Sequence, residues 1–368
     1  MTVSLCTIAY NEEAVIGQLL EQMKAQDYPK NRTELVLVDS GSTDKTKQIL
    51  EEFREHNAGE YLAIRVLDNP AQNQAAGWNT AIRCARGDII IRVDAHAEIP
   101  SDFVTQNVRL IESGEYVCGG ARPNKINDPT PFKEMLFLAE SSMFGSSFAG
   151  YRRKSEEEKK YVSSLFHGAY RREVFADVGG FNEDLGRTED NELHYRIRQA
   201  GYSICQGSRI ISYQHIRGTL GSMLAQKYGN GKWIGLTLGV CPKCLSIFHF
   251  VPLCFVLAVI GGTILSITGV MTGLPFLSLP LIVLAVLYAS VDLLMTLTAV
   301  IPSPKHISQI LLPVVFFLLH FVYGVGTLAG IVAMPFWKSR RDGSAQKKIE
   351  EVKKCVKENS KSYSEGTE

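Results

Sequence analysis

ARGDIIIRVDAHAE, residues 85–98, carries the run Ile89-Ile90-Ile91-Arg92-Val93, which ends in Asp94 with His96 two positions further on. Introduced by Gly87-Asp88 and closed by Pro100, the run reads as a central strand of a parallel sheet, where ligands bind beyond the carboxyl ends. Asp94 then stands where a ligand would sit. A carboxylate and an imidazole at i and i+2 just past a strand can reach one divalent cation and the phosphates it carries, since such cations leave positions open for phosphate oxygens. The competing reading is a strand that ends in a polar turn, and the rest of the chain has to choose between them.

Upstream, Val3 to Ala9 is a β-branched run, followed by Val15, Ile16, Leu19, Leu20 and Met23 on one helical face. Leu35 to Val38 ends in Asp39, and Ser40-Gly41-Ser42-Thr43-Asp44 follows, where Ser42 or Thr43 is placed to cap the next helix. Leu62 to Leu67 supplies a third strand and Asn73 to Ala85 a third helix. This alternation predicts an α/β domain, an open and mostly parallel sheet with helices on both faces. Downstream, Tyr116 to Arg122, Leu165 to Tyr170 and Ile210 to Tyr213 read as further strands, the last leading to His215. The charged segment Tyr151 to Tyr161 reads as a solvated helix or loop.

The 368-residue chain carries a formal net charge of +1, which argues against an electrostatic nucleic-acid binder. From Cys244 to Trp337 the only Asp, Glu, Lys or Arg residues are Asp292 and Lys305. Three apolar segments lie there, Leu245 to Met271, Phe276 to Ile301 and Ile307 to Trp337, each longer than the roughly 20 residues that cross a bilayer. The expected domains are therefore 1–235 as a catalytic domain, 245–337 as an α-helical transmembrane domain and 338–368 as a charged tail.

Val3 to Ala9 is too short for a signal-peptide core, so the first domain is expected in the cytosol, and the eight scattered cysteines suit a reducing compartment. Sidedness is in conflict. Three crossings put the tail outside, whereas Lys338, Arg340 and Arg341 prefer the cytosolic side. Asp292, a charge within an apolar segment, is expected to face protein or water, with His320 as a candidate partner.

Ala9-Tyr10-Asn11-Glu12-Glu13, Val38-Asp39-Ser40-Gly41-Ser42-Thr43-Asp44, Ala85-Arg86-Gly87-Asp88 leading to Asp94, Gly179-Gly180-Phe181 and Thr188-Glu189-Asp190 stand in one order and spacing. In these motifs, over roughly residues 1 to 235, the chain resembles the family 2 inverting glycosyltransferases of GT-A fold. Arg92 to Ala97 is similar to the pattern in membrane-associated transferases of bacterial exopolysaccharide assembly, of the kind that build succinoglycan.

The resemblance implies a Rossmann-like GT-A domain that binds a nucleotide sugar, with UDP as the expected nucleotide, through Ala9, Tyr10, Glu12, Asp39, Ser42, Arg92 and Asp94. It implies a Mn²⁺ or Mg²⁺ ion on Asp94, with His96 at the family's second acidic position and His215 as further ligands. It implies Asp190 as catalytic base, assisted by Glu189, and His167, Gly168 and Trp233 at the sugar and acceptor pocket. Processive relatives carry Gln-x-x-Arg-Trp where this chain has Gly229, Lys232 and Trp233, so addition of a single sugar is expected.

The resulting expectation is a multi-pass enzyme of the plasma membrane. It would transfer a hexose to a hydroxyl of a polyprenyl-linked or other membrane-associated saccharide. The alternatives are a polyprenyl-phosphate sugar synthase and, from another class, a non-catalytic nucleotide-sugar sensor or scaffold.

Overall fold

The computed structural model describes residues 1–146, 156–303 and 306–365. Tyr151–Ser155, the first part of the charged segment, and Lys305 lie outside them. The chain forms two compact units, and neither is continuous in sequence. The first comprises residues 1–123, 156–214 and 341–365, and the second 124–146 and 215–340.

The first unit is built on eight strands: β1 (Val3–Ala9), β2 (Thr33–Asp39), β3 (Ala63–Asp68), β4 (Ile89–Arg92), β5 (Val117–Ala121), β6 (Lys159–Tyr161), β7 (Gly168–Arg171) and β8 (Ile204–Ile211). Their order across the sheet is β3-β2-β1-β4-β7-β5-β8-β6. β3, β2, β1 and β4 run parallel, as does the β5–β8 pair. β7 runs antiparallel to both β4 and β5, and β6 antiparallel to β8. The sheet is thus parallel where strand and helix alternate regularly and mixed beyond β4, where β7 is inserted between two strands that precede it in sequence. Lys159–Tyr161, within the segment expected to be solvated, is the antiparallel edge strand.

Period-two alternation decides which face each side chain joins. Leu35, Leu37, Ile89 and Ile91 enter one core cluster with Ile16, Leu19 and Phe103, whereas Val36, Val38 and Ile90 enter the other with Trp78, Phe175 and Leu193. Each fully buried Val, Leu or Ile contributes about 1.5–3 kcal/mol by leaving water. Helices on both faces are therefore required by β2 and β4, every residue of which is buried.

The tail is part of this unit. Helix Ser344–Glu365 places Ala345, Ile349, Val352 and Val356 on one buried face, and the two valines join the second cluster. Gly179, at φ 78°, meets it so closely that a Cβ would lie 2.5 Å from the Ile349 carbonyl oxygen.

The second unit is helical. Val251–Thr272 and Leu279–Val300 lie within the apolar stretches Ile247–Thr272 and Pro275–Val300, and Leu312–Ser339 within Ile307–Ser339, all three long and apolar enough to cross a membrane. Leu312–Ser339 packs on Leu220–Thr237 with backbones nearly touching; a Cβ on Gly231 would lie 2.1 Å from the Tyr323 oxygen. His320 is engaged by the Tyr288 hydroxyl at 2.9 Å and donates to the Phe144 carbonyl at 2.7 Å. Asp292 instead accepts from Thr296 at 3.3 Å, so the Asp292–His320 pair does not form. All eight cysteines, Cys241 and Cys244 included, are free thiols.

Candidate active site

The strand order reverses at β1, since the chain winds from β1 through β2 to β3 and then returns to add β4 on the other side. Crevices beyond the carboxyl ends at such a switch point are the usual ligand sites of open α/β sheets. Here the switch brings together the loops after β1, β2 and β4.

The first two loops hold each other. Ser42 Oγ accepts from Asn11 N–H at 3.0 Å, Thr46 Oγ1 from Glu12 N–H at 2.8 Å, and Asn11 Oδ1 from Thr43 N–H at 2.8 Å. Asn11 takes φ 53° to make these bonds. Ser42 and Thr43 therefore join loops instead of capping a helix. Helix Thr46–Asn57 begins later, with Asp44 Oδ1 accepting from Thr46 N–H at 2.9 Å. Ala9 is buried and pairs in register with Asp39, while Tyr10 is half exposed at the rim.

Asp39 uses one oxygen for its own turn, accepting from Gly41 and Ser42 N–H at 3.0 and 3.1 Å. Its other oxygen, Oδ1, is buried without a hydrogen-bond partner among the described residues. Leaving a buried acceptor unmet costs about 1–3 kcal/mol, so this atom is a ready acceptor for a ligand N–H or hydroxyl.

Arg92 is the hub of the site. It is 2% exposed and its guanidinium lies over Trp78, 4.5 Å from the ring centroid, and near Phe181 at 5.5 Å. Nη1 pairs closely with Asp190 Oδ1, and Nη2 lies 3.6 Å from Asp94 Oδ1 and 3.8 Å from Glu189 Oε1. One buried cation thus faces three carboxylates. Burial alone would disfavour its charge, but Asp190, Asp94 and Glu189 outweigh that and raise its pKa.

The carboxylates diverge. Burial pushes Asp94 upward, yet the His167 side chain and the Arg92 guanidinium prevail and hold it well below the usual carboxylate range. Glu189, 2% exposed at the start of helix Glu189–Gln199, is pushed up to about 8 by burial and by Asp190. Asp190 is raised by burial, opposed by Arg92. Asp94, lowered, and Glu189, raised, thus stand on either side of Arg92 with separated proton affinities, the pattern that general acid–base chemistry uses.

His167 supports Asp94 from the other side. Its Nε2 lies 3.6 Å from Asp94 Oδ2 and 3.4 Å from Asp94 N, and its Nδ1 lies 2.7 Å from Ser212 Oγ. Burial lowers its pKa, opposed by the Asp94 carboxylate. Gly168, next to it, leaves space that Tyr170 occupies, since a Cβ there would lie 2.6 Å from that ring.

The expected metal ligands are only partly assembled. Asp94 Oδ1 is buried with no hydrogen-bond partner among the described residues, which fits a ligand to a hard cation. His96 is turned to Glu12 Oε1 at 3.2 Å. His215 ends the strand Tyr213–His215 and belongs to the second unit. Among the described residues no three His, Cys, Asp or Glu side chains form a ligand group. Trp233 also belongs to the second unit, edge-on to Trp337 at 6.0 Å between centroids.

Sequence reasoning placed Asp39, Asp94, Glu189 and Asp190 at this edge but missed the shell that holds them. Trp78 and Ser212 carry no motif, and their only signals were an aromatic on the helix after β3 and a hydroxyl after β8. Arg92 was assigned to the donor, whereas its guanidinium is committed to the three carboxylates.

Residues 4–179 match the model of the family described as Glycosyl transferase family 2. The succinoglycan biosynthesis protein ExoA of Rhizobium meliloti is 30% identical over 228 residues, 60% of this chain and 66% of that protein; the chain thus spans just under two thirds of that relative. A dolichyl N-acetyl-alpha-D-glucosaminyl phosphate 3-beta-D-2,3-diacetamido-2,3-dideoxy-beta-D-glucuronosyltransferase of Methanococcus voltae is 25% identical over 339 residues, 90% of this chain and 97% of the relative. Among solved structures, a mannosyltransferase of Pyrobaculum calidifontis, in complex with GDP-Man and Mn²⁺, superposes with a TM-score of 0.53 at 18% identity, covering 92% of this chain and 88% of that one. This last likeness shows the GT-A fold.

Proposed function

The chain belongs to glycosyltransferase family 2 through residues 4–179, and from that premise we propose that it is a membrane-bound, metal-dependent, inverting hexosyltransferase. It takes a nucleotide sugar, in the first instance a UDP-sugar, and glycosylates a hydroxyl of a polyprenyl-linked saccharide on the cytosolic leaflet of the plasma membrane.

The observation that carries this reading is the Arg92 bridge, which sets Asp94 beyond β4 and Asp190 at the start of Glu189–Gln199 around one buried cation. Asp39 Oδ1 offers an acceptor to the nucleoside, beside Ala9, Tyr10, Glu12 and Ser42. Asp94 would hold Mn²⁺ or Mg²⁺, with His96 as a further ligand. Such an ion supplies neutralisation of the charge that builds on the departing diphosphate. Asp190 accepts the proton of the acceptor hydroxyl as its oxygen bonds to the anomeric carbon, and the bond from that carbon to the nucleoside diphosphate breaks on the opposite face. Glu189, whose proton affinity burial and Asp190 raise, puts less negative charge beside the base than an ordinary glutamate would. His167 and Gly168 line the sugar side.

A lipid-linked saccharide is favoured by the Methanococcus voltae relative, whose name describes transfer to a dolichyl-phosphate-linked sugar and which aligns over nearly its whole length. A synthase acting on polyprenyl phosphate needs little base catalysis, because its acceptor is already an anion. The paired Glu189 and Asp190 favour a hydroxyl.

The test is nucleotide release by the purified protein in lipid, across UDP- and GDP-sugars with Mn²⁺ or Mg²⁺, for the unaltered chain and Asp190→Asn. Expected is metal-dependent consumption of one donor with a lipid-linked saccharide and a fall of roughly 10²–10⁴-fold in the variant. Transfer to polyprenyl phosphate alone would replace this reading with the synthase. Binding of nucleotide with no donor consumed would replace it with the sensor or scaffold.

A further inference from the structure

Residues after the third apolar helix are built into the first unit. Val352 and Val356 are 0% and 1% exposed among its core side chains. Lys348 Nζ lies 2.7 Å from Glu183 Oε2 and Arg341 Nη1 2.6 Å from Asp184 Oδ2, while Asn359 Nδ2 donates to the Arg83 carbonyl at 3.2 Å. One folded unit cannot lie on both sides of a bilayer. The chain therefore enters and leaves the apolar region on the same side, and the number of crossings is even.

Which two helices cross follows from what covers each one. Val251–Thr272 and Leu279–Val300 are 22 residues each, or about 33 Å at 1.5 Å per residue, close to the thickness of a hydrocarbon core. They meet through the left-handed Gly273, and their outer surfaces, with Ile264, Ile267, Val270, Val286 and Leu287, are exposed. Only 17% and 6% of their apolar stretches are buried, so lipid is the partner that fits them.

Leu312–Ser339 differs. Its first half packs Leu312, Val315, Phe316 and Leu319 on Met135, Leu136 and Ala139 of helix Pro131–Ser141. Its second half packs on Leu220–Thr237, where a Cβ on Gly330 would lie 2.1 Å from the Lys232 oxygen. Those two partner helices carry Lys133, Glu134, Glu140, Lys227 and Lys232. Glu140 pairs with Lys227 at 3.0 Å and Glu134 with His306 at 2.5 Å, while Lys133 reaches the Asn127 and Asp128 carbonyls. Charges of this number are too costly to follow Leu312–Ser339 through hydrocarbon.

We infer that the Val251–Val300 hairpin makes both crossings, and that Leu312–Ser339 lies in the membrane interface on the side of the catalytic unit. Its partner helices cover one face, and Val314, Val332 and Phe336 on the exposed face meet lipid. This placement also leaves Lys338, Arg340 and Arg341 on the side that the positive-inside preference favours.

The experiment uses the full chain in sealed vesicles with the catalytic unit facing out, carrying cleavable epitope tags at the amino terminus, at the carboxyl terminus or between Gly273 and Leu274. Protease should remove both terminal tags from intact vesicles, with the Gly273 tag cut only after detergent is added. A protected carboxyl-terminal tag alongside a cleaved amino-terminal one would mean three crossings and overturn the inference. So would cleavage of the Gly273 tag in intact vesicles, which would mean that the hairpin does not cross. The terminal tags interrupt no helix, so they decide the parity even where the inserted tag disturbs the hairpin.

Discussion

Arg92 and Asp190, 98 positions apart, form an ion pair beneath the carboxyl ends of the sheet, with the guanidinium resting on Trp78. The pair ties the strand that presents Asp94 to the helix that presents the proposed base.

Arg92→Met would leave three carboxylates around an apolar side chain. Removing one partner of a buried pair costs roughly 3–5 kcal/mol, so the variant should unfold at clearly lower denaturant concentration than the unaltered chain in lipid nanodiscs. Arg92→Met combined with Asp190→Asn should recover part of the loss. A single variant as stable as the parent would show that the guanidinium does not offset these charges.

Glu189 gives a pH signature. Its folded pKa, about 8, is raised above a glutamate's ordinary 4.5, so the folded state binds the proton more tightly than the unfolded one. Stability is therefore lost as pH rises from about 4.5 to about 8. Asp94, with its pKa lowered, acts oppositely and loses stability as pH falls through the acid range. Glu189→Gln should flatten the decline between pH 5 and 8 in thermal melts and be more stable relative to the parent at pH 8. Parallel curves for the two proteins would refute the shift.

His167→Ala should disturb Asp94 without touching Asp190. His167 Nε2 lies 3.6 Å from Asp94 Oδ2 and its Nδ1 meets Ser212 Oγ at 2.7 Å, so its loss removes a support of the carboxylate, and supporting contacts of this kind typically change metal affinity by roughly 10–100-fold. Mn²⁺ titration of nucleotide release should show a raised half-saturating concentration at a largely retained maximal rate. A lowered maximal rate with unchanged Mn²⁺ dependence would assign His167 to the sugar instead.

Val352→Asp should release the tail. It puts a carboxylate where the side chain is fully buried, and substitutions of this class reach several kcal/mol. Trypsin should then cut at Lys353 and Lys354 under conditions in which the parent chain resists. Equal resistance would mean that the polar contacts of Arg341, Lys348 and Asn359 suffice to hold the tail.

The amino-acid pattern was sufficient for the first half of the sheet, because a strand buried on both faces must be apolar throughout and β2 and β4 are. It was sufficient also for the apolar helices, whose composition has few other solutions, and for the placing of Asp39, Asp94, Glu189 and Asp190 at element ends. The mixed half of the sheet was not readable, since β7 is hydrogen-bonded to β4 and β5, which lie far from it in sequence. The tail read as charged because its four buried side chains are spaced among many lysines and glutamates, although Ala345, Ile349, Val352 and Val356 recur at helical intervals. Arg92 illustrates the divide best. Its position at the end of a strand follows from local pattern, but its partners do not, because the energy of a buried charge depends on which distant groups surround it, and only the folded chain brings Trp78, Glu189 and Asp190 to it.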